Sequence, residues 1–211
     1  LQPVLEQSRP DMVLVHGDTA TCFAASLAAF YSRVPIGHVE AGLRTNDLTA
    51  PFPEEGFRQL TDRLCELYFA PTARSASTLL KEGVNPQKIV TTGNTVIDAL
   101  LWMKDRLPPL QAPEQAYGSA AEIFANPDAP VVLVTGHRRE SFGKGFEQIC
   151  TALRELAQKH PHVQIVYPVH LNPRVQEPVH RLLAEIDSVH LIPPLDYQEF
   201  VRLMDRATLI L

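Results

Sequence analysis

The sequence predicts an α/β fold built as two parallel-sheet units, and three observations carry that expectation. Short apolar runs recur along the chain, stretches of helical period separate them, and a proline-rich segment over 107–127 breaks the rhythm once. Runs that are continuously apolar, rather than alternating, belong to strands buried on both faces. Their alternation with helices marks βαβ units.

The elements follow in order. The chain opens on Leu1 inside a helical stretch carrying Val4 and Leu5, and a strand is expected over 12–16. That strand ends in His16-Gly17-Asp18-Thr19, where Gly17 relieves the turn and Asp18 or Thr19 caps a helix over 19–31. A strand over 36–40 precedes a helix over 54–65, whose opening Glu54 and Glu55 suit the positive end of a helix dipole. Strand 67–70, helix 73–82, strand 88–92 and helix 95–107 complete a first domain, set at 1–106. Pro108, Pro109, Pro113 and Pro127, with Ala, Gln and Ser between them, predict a linker or insertion over 107–127. The second domain, 128–211, is expected to hold strands over 131–135, 163–168, 189–192 and 208–211, with helices over 144–159 and 198–206. The last strand is read as buried. An opening without Met and a close on an apolar run both suggest a piece of something longer.

Composition excludes several classes. At 211 residues the chain can bury about 70 % of its unfolded surface without metal or disulfide support. Nineteen Lys and Arg against 24 Asp and Glu give a net charge of −5, the opposite of what a nucleic-acid binder carries. No apolar run approaches the ~20 residues of a membrane span. Cys22, Cys65 and Cys150 lack CxxC spacing and sit in apolar stretches, so buried thiols in a reducing compartment are expected. With no signal-like segment at the start, the expected location is cytoplasmic.

In open parallel sheets ligands sit beyond the carboxyl ends of the strands, so the residues after each strand deserve inspection. Glu40 closes its strand and requires a partner, Arg44 or Arg58 in a purely structural reading. His38 and Glu40 share two-residue spacing, but no third ligand accompanies them, which disfavours a metal. Asp18, Glu40 and Glu54 would meet at one rim of a parallel sheet, and clustered carboxylates permit general acid–base chemistry. In the second domain, Gly136-His137-Arg138-Arg139 precedes a helix and forms a plausible diphosphate site, joined at the same rim by His170. The segment is not a Walker A loop, and no GxGxxG fingerprint for a nicotinamide cofactor is present.

Taken together, VLVHGDT (13–19), GHVEAGLRT (37–45), PEE (53–55), TGNTVIDALL (92–101), LVTGHRRESFGKGFE (133–147) and IVYPVHLNP (165–173) resemble the non-hydrolysing UDP-N-acetylglucosamine 2-epimerases, in the family's order and across essentially the whole chain. The resemblance implies two Rossmann-like domains facing across a cleft, as in the glycosyltransferase-B architecture, both incomplete here. It implies interconversion of UDP-GlcNAc and UDP-ManNAc for bacterial polysaccharide synthesis. The C2 proton and UDP leave by anti elimination, a 2-acetamidoglucal forms, and UDP adds back, with no cofactor and no metal. Carried across by motif, Asp18, Glu40 and Glu54 are the acid–base candidates, with their assignment to the two faces of C2 open. His137 would assist UDP departure, while Arg138, His170 and Arg44 would bind the nucleotide sugar. A homodimer and a second UDP-GlcNAc acting as activator are further implications.

The family's N-terminal strand, its GTRPE-type loop and its SGG–QEE segment are absent, so this chain alone is expected to turn over little or nothing. A UDP-sugar glycosyltransferase, a hydrolysing epimerase releasing ManNAc, and a binding-only remnant are the rival readings.

Overall fold

Every strand among residues 1–136 and 144–211, which the computed structural model describes, belongs to one of two four-stranded parallel sheets. Residues 1–99 form one unit and residues 100–211 the other, so the division falls ahead of the expected boundary after residue 106.

The first unit runs α1 (Gln2–Ser8), β1 (Val13–His16), α2 (Ala20–Tyr31), β2 (Ile36–Val39), α3 (Glu54–Leu64), β3 (Leu67–Ala70), α4 (Ala73–Lys81) and β4 (Ile89–Thr91); α5 (Thr95–Lys104) spans the division. Its sheet has the order β1-β2-β3-β4. Val15, Ala29, Ile36, Tyr68 and Leu79 meet in its core. Burial on both faces holds for β2 but not for the outer strands: Leu14 of β1 is 64 % exposed and Val90 of β4 is 46 % exposed. A strand at the side of a sheet has one neighbour, so an apolar run there does not by itself guarantee burial.

The second unit contains α6 (Pro113–Tyr117), a 3-10 turn over Gly118–Ala121, α7 (Glu122–Ala125), β5 (Val131–Leu133), α8 (Lys144–Lys159), β6 (Gln164–Pro168), α9 (Pro173–Leu183), β7 (Val189–Ile192), α10 (Tyr197–Arg206) and β8 (Leu209–Ile210). Its sheet order is β7-β6-β5-β8. The segment expected as a linker or insertion is helical and packed: Tyr117, Ala120 and Ile123 join Val131, Leu133, Val166 and Leu203 in one buried cluster. The Tyr117 hydroxyl donates to the Glu199 carbonyl at 3.1 Å. Arg206 donates to the carbonyls of Ile123, Asn126 and Ala129, which closes the end of α7 against α10. Leu209 and Ile210 pair with Val132 and Leu133 yet remain 53 % and 43 % exposed. Pairing satisfies their backbone without covering their side chains.

Candidate active site

The parallel register of the first sheet brings two sequence-distant carboxylates to one end. His16 lies opposite Val39, so Gly17-Asp18 and Glu40 leave adjacent strands together. The Gly17 amide donates to the Val39 carbonyl at 3.0 Å. A Cβ on Gly17 would sit 3.5 Å from Glu40 Oε2, which measures how closely the two loops approach. Thr19, not Asp18, caps α2: its hydroxyl accepts from the Cys22 amide at 3.2 Å. Asp18 is thereby left for another partner, and Arg58 Nη2 lies 2.9 Å from its Oδ2.

Glu40 has a φ of 71°, a left-handed conformation that costs a side-chain-bearing residue roughly 1–3 kcal/mol and concentrates at functional sites. This turn also breaks the strand alternation that would have put His38 and Glu40 on one face. Neither Arg44 nor Arg58 pairs with Glu40. Its carboxylate faces His16 Nε2 at 3.5 Å instead.

Glu54 opens α3 and is partly exposed, beside a fully buried neighbour. Glu55 accepts from the amides of Thr45 and Asn46 and from the Gln59 side chain, at 3.1, 3.0 and 2.7 Å. Burial works against its charge, but these donors and the Arg58 guanidinium hold its pKa below the usual carboxylate range. Arg58 lies 3.5 Å from Glu55 and also pairs with Asp18, so one guanidinium ties the first turn of α3 to the loop after β1. Phe23 of α2 stacks on Phe57 of α3 with ring centroids 5.6 Å apart, holding the same two helices together.

Arg44, expected on the substrate, is engaged elsewhere. Its side chain is 2 % exposed, and its guanidinium donates to Asp62 at 2.7 Å, to both Glu82 oxygens and to the Leu43 carbonyl. Four of its five N–H donors are thus committed within the protein. Asp62 in turn accepts from His38 Nδ1 at 2.6 Å and from the Gly42 amide at 3.1 Å. Sequence reasoning passed over Asp62 and Glu82. The available signal was His38 itself, a polar side chain in the middle of a buried apolar strand, which must find a partner.

In the second unit, Val134, Thr135, Pro168, His170 and Leu195 contribute to a cavity of about 190 Å³ at the carboxyl ends of β5, β6 and β7. Asn172 caps α9 through Arg174 N, and its own amide donates to His170 Nδ1 at 3.1 Å. A neutral His170 accepting there carries its proton on Nε2. The Tyr167 hydroxyl donates to the Gly136 carbonyl and anchors the segment after β5. His137 and Arg138 lie outside the described residues.

A family model described as UDP-N-acetylglucosamine 2-epimerase matches residues 1–211. A Yersinia pestis protein named UDP-N-acetylglucosamine 2-epimerase is 58 % identical over 212 residues, covering 100 % of this chain and 56 % of its own length. The crystal structure of UDP-GlcNAc 2-epimerase from Neisseria meningitidis bound to UDP-GlcNAc matches with a TM-score of 0.89 at 47 % identity, covering 99 % of this chain and 56 % of that one. The Methanocaldococcus jannaschii UDP-GlcNAc 2-epimerase in complex with UDP-GlcNAc and UDP matches with a TM-score of 0.74 at 30 % identity, covering 99 % and 56 %. The chain thus spans about half the length of the curated relatives it matches.

Proposed function

The chain belongs to the UDP-N-acetylglucosamine 2-epimerase family, and from that membership we propose that the protein interconverts UDP-GlcNAc and UDP-ManNAc by elimination and re-addition of UDP. The observation that carries the proposal is the convergence of Asp18 and Glu40 at neighbouring strand ends, with Asp18 salt-bridged and Glu40 in a left-handed turn.

Inverting C2 requires a base to take its proton and an acid to return one to the other face. Two carboxylates leaving neighbouring strand ends supply the two groups that this division needs. Asp18 is ion-paired with the Arg58 guanidinium at 2.9 Å. The Glu40 carboxylate faces the His16 imidazole at 3.5 Å. Glu54, at the mouth of α3, is the third acid–base candidate. Departure of UDP is assigned to His137, which would stabilise the charge developing on the diphosphate oxygen. Arg138 and His170 would hold the nucleotide sugar in the second unit, where the largely apolar cavity beside His170 can accept a flat ring. Asp18, Glu40 and Glu54 belong to the first unit and His137, Arg138 and His170 to the second, and this division of labour is part of the proposal.

Two of the relatives' structures hold UDP-GlcNAc, which supports the substrate class. The test uses protein expressed from the complete open reading frame that contains this chain. Incubated with UDP-GlcNAc in D2O, it is expected to produce UDP-ManNAc with deuterium at C2, followed by proton NMR. Asp18→Asn and Glu40→Gln are each expected to slow that exchange by about 10²- to 10⁴-fold, the usual loss for a general acid or base. Free ManNAc or a transferred sugar would overturn the reaction type. Unchanged UDP-GlcNAc would overturn the activity.

A further inference from the structure

Behind the candidate acid–base groups lies a buried polar network that the proposed chemistry does not use. His38 is fully buried in the central part of the sheet, and Asp62 is nearly so. Both ring nitrogens of His38 face acceptors: Nδ1 meets Asp62 Oδ1 at 2.6 Å, and Nε2 meets the Gly17 carbonyl at 2.8 Å. A neutral imidazole carries one proton and can satisfy one of these acceptors, so the imidazolium is the form that satisfies both. The groups facing it are Asp62 from α3 and the Cys22 thiol from α2, which also donates to the Gly17 carbonyl at 3.1 Å. Arg44, and Glu82 beyond it, face the far side of Asp62. Burial opposes the charge on His38. The Asp62 and Cys22 contacts and the Gly17 carbonyl outweigh it and push the imidazole pKa up to about 10.

The two ends of this network are the two loops of the candidate site. The Gly17 carbonyl belongs to the peptide that leads directly into Asp18. Asp62 Oδ2 accepts from the Gly42 amide, two residues after Glu40, at 3.1 Å. Gly42 itself has a φ of +85° and its Cα is packed on the Ser75 carbonyl, so that side of the Glu40 loop has little room to shift. Neither His38 nor Asp62 reaches the surface. Whatever they do for the chemistry they do through the loops they hold.

We infer that the His38–Asp62 pair is a positioning device that sets the Asp18 and Glu40 loops relative to one another, an inference that rests on the epimerase reading above. His38 holds the first loop by a charge-assisted bond to a carbonyl. Asp62 holds the second by accepting an amide, and a single 2.6 Å contact joins the two. A buried charge pair of this kind is poor evidence for stability on its own, since an apolar pair of equal volume often stabilises as well. It does impose directional contacts that an apolar pair would not. Misplacement of a reacting group by about 1 Å can cost about 10²-fold in rate, so a small relaxation of either loop is enough to be seen in turnover.

The experiment compares His38→Gln and Asp62→Asn with the parent protein, each from the complete open reading frame. Turnover of UDP-GlcNAc, affinity for UDP and melting temperature are measured for each. A glutamine reaches one acceptor with no charge, and an asparagine keeps the shape of Asp62 while removing the counter-ion. For folded variants, kcat is expected to fall by about 10- to 100-fold while UDP affinity stays within about twofold. A lower melting temperature with kcat within twofold of the parent would make the pair purely structural and overturn the inference. A parallel loss of UDP affinity would overturn it too, because a loop-positioning role at the carboxylates does not predict that loss.

Should both variants fail to fold, the parent protein still decides. With histidine labelled in its ring nitrogens, His38 is expected to show both nitrogens protonated at about pH 8.5, where a free imidazole is neutral. One unprotonated nitrogen there would leave the Gly17 or the Asp62 contact without a donor and overturn the clamp. If the parent protein itself turns over no UDP-GlcNAc, the epimerase reading fails. The nitrogen signature then tests the clamp separately.

Discussion

Gly42 is where one residue's covalent structure matters most for the site. Its φ of +85° suits glycine, and a Cβ built there would lie 2.4 Å from the Ser75 carbonyl oxygen and 2.9 Å from Leu79 Cγ. Both the backbone conformation and the packing reject a side chain. Gly42→Ala is therefore expected to destabilise the protein by about 3 kcal/mol, read by urea unfolding; a loss below about 0.5 kcal/mol would mean the loop can move away from α4. Glu40 presents the opposite case, a side-chain-bearing residue held at a φ of 71°. The motif around it pointed to a strand-end carboxylate. The left-handed turn that aims it away from His38 was not legible, because nothing local favours that conformation for Glu. It follows from contacts of its neighbours, with Glu40 and Ala41 amides both donating to the Phe69 carbonyl.

At the scale of elements, most of the strands and helices were readable from apolar runs and helical period, with ends shifted by up to three residues. The helix N-termini show why. Thr19, Thr72 and Asn172 each accept from a backbone amide two or three residues on, so the cap is a side-chain property and can be seen in sequence. Thr19→Ala is expected to cost about 1 kcal/mol, seen as about fivefold faster hydrogen exchange at the Cys22 amide; unchanged exchange would return the capping role to Asp18. Two of the elements that escaped, α6 and α9, contain proline. Pro178 sits inside α9, and Pro113 opens α6. Proline removes one donor and sets φ, which breaks an isolated helix. It is tolerated in α9 where Val175, Val179 and Leu183 bury the helix against the core. Tertiary packing offsets what the local signal opposes.

On the scale of the whole molecule, each unit has its own parallel sheet and its own buried clusters. Among the described residues no helix is long and apolar enough to cross a membrane. Tyr117 joins the segment before β5 to the second unit's interior, its ring tilted against Phe124 with centroids 4.6 Å apart and its hydroxyl hydrogen-bonded to α10. Tyr117→Ala is expected to cost about 3–5 kcal/mol, as for other buried aromatics. In hydrogen exchange, β5 and β6 should lose protection while β2 and β3 keep theirs. Retained protection in β5 and β6 would return residues 107–127 to the status of a loosely attached linker.

Sequence by itself determined the α/β class, the succession of strands along the chain and the expectation that Asp18, Glu40 and Glu54 share one rim of a parallel sheet. Those features depend on local periodicity and on the one-way geometry of parallel pairing, and both are written in residue order. Only the tertiary structure decided which charges pair. Arg44 turned inward to Asp62 and Glu82, Arg58 took Asp18, and His38 became the link between two loops. A buried charge must find a partner to offset its desolvation, but the partner comes from whichever element packs nearby. Residues 18 or 38 positions apart in sequence meet only once the helices are docked, so no spacing rule could have named them.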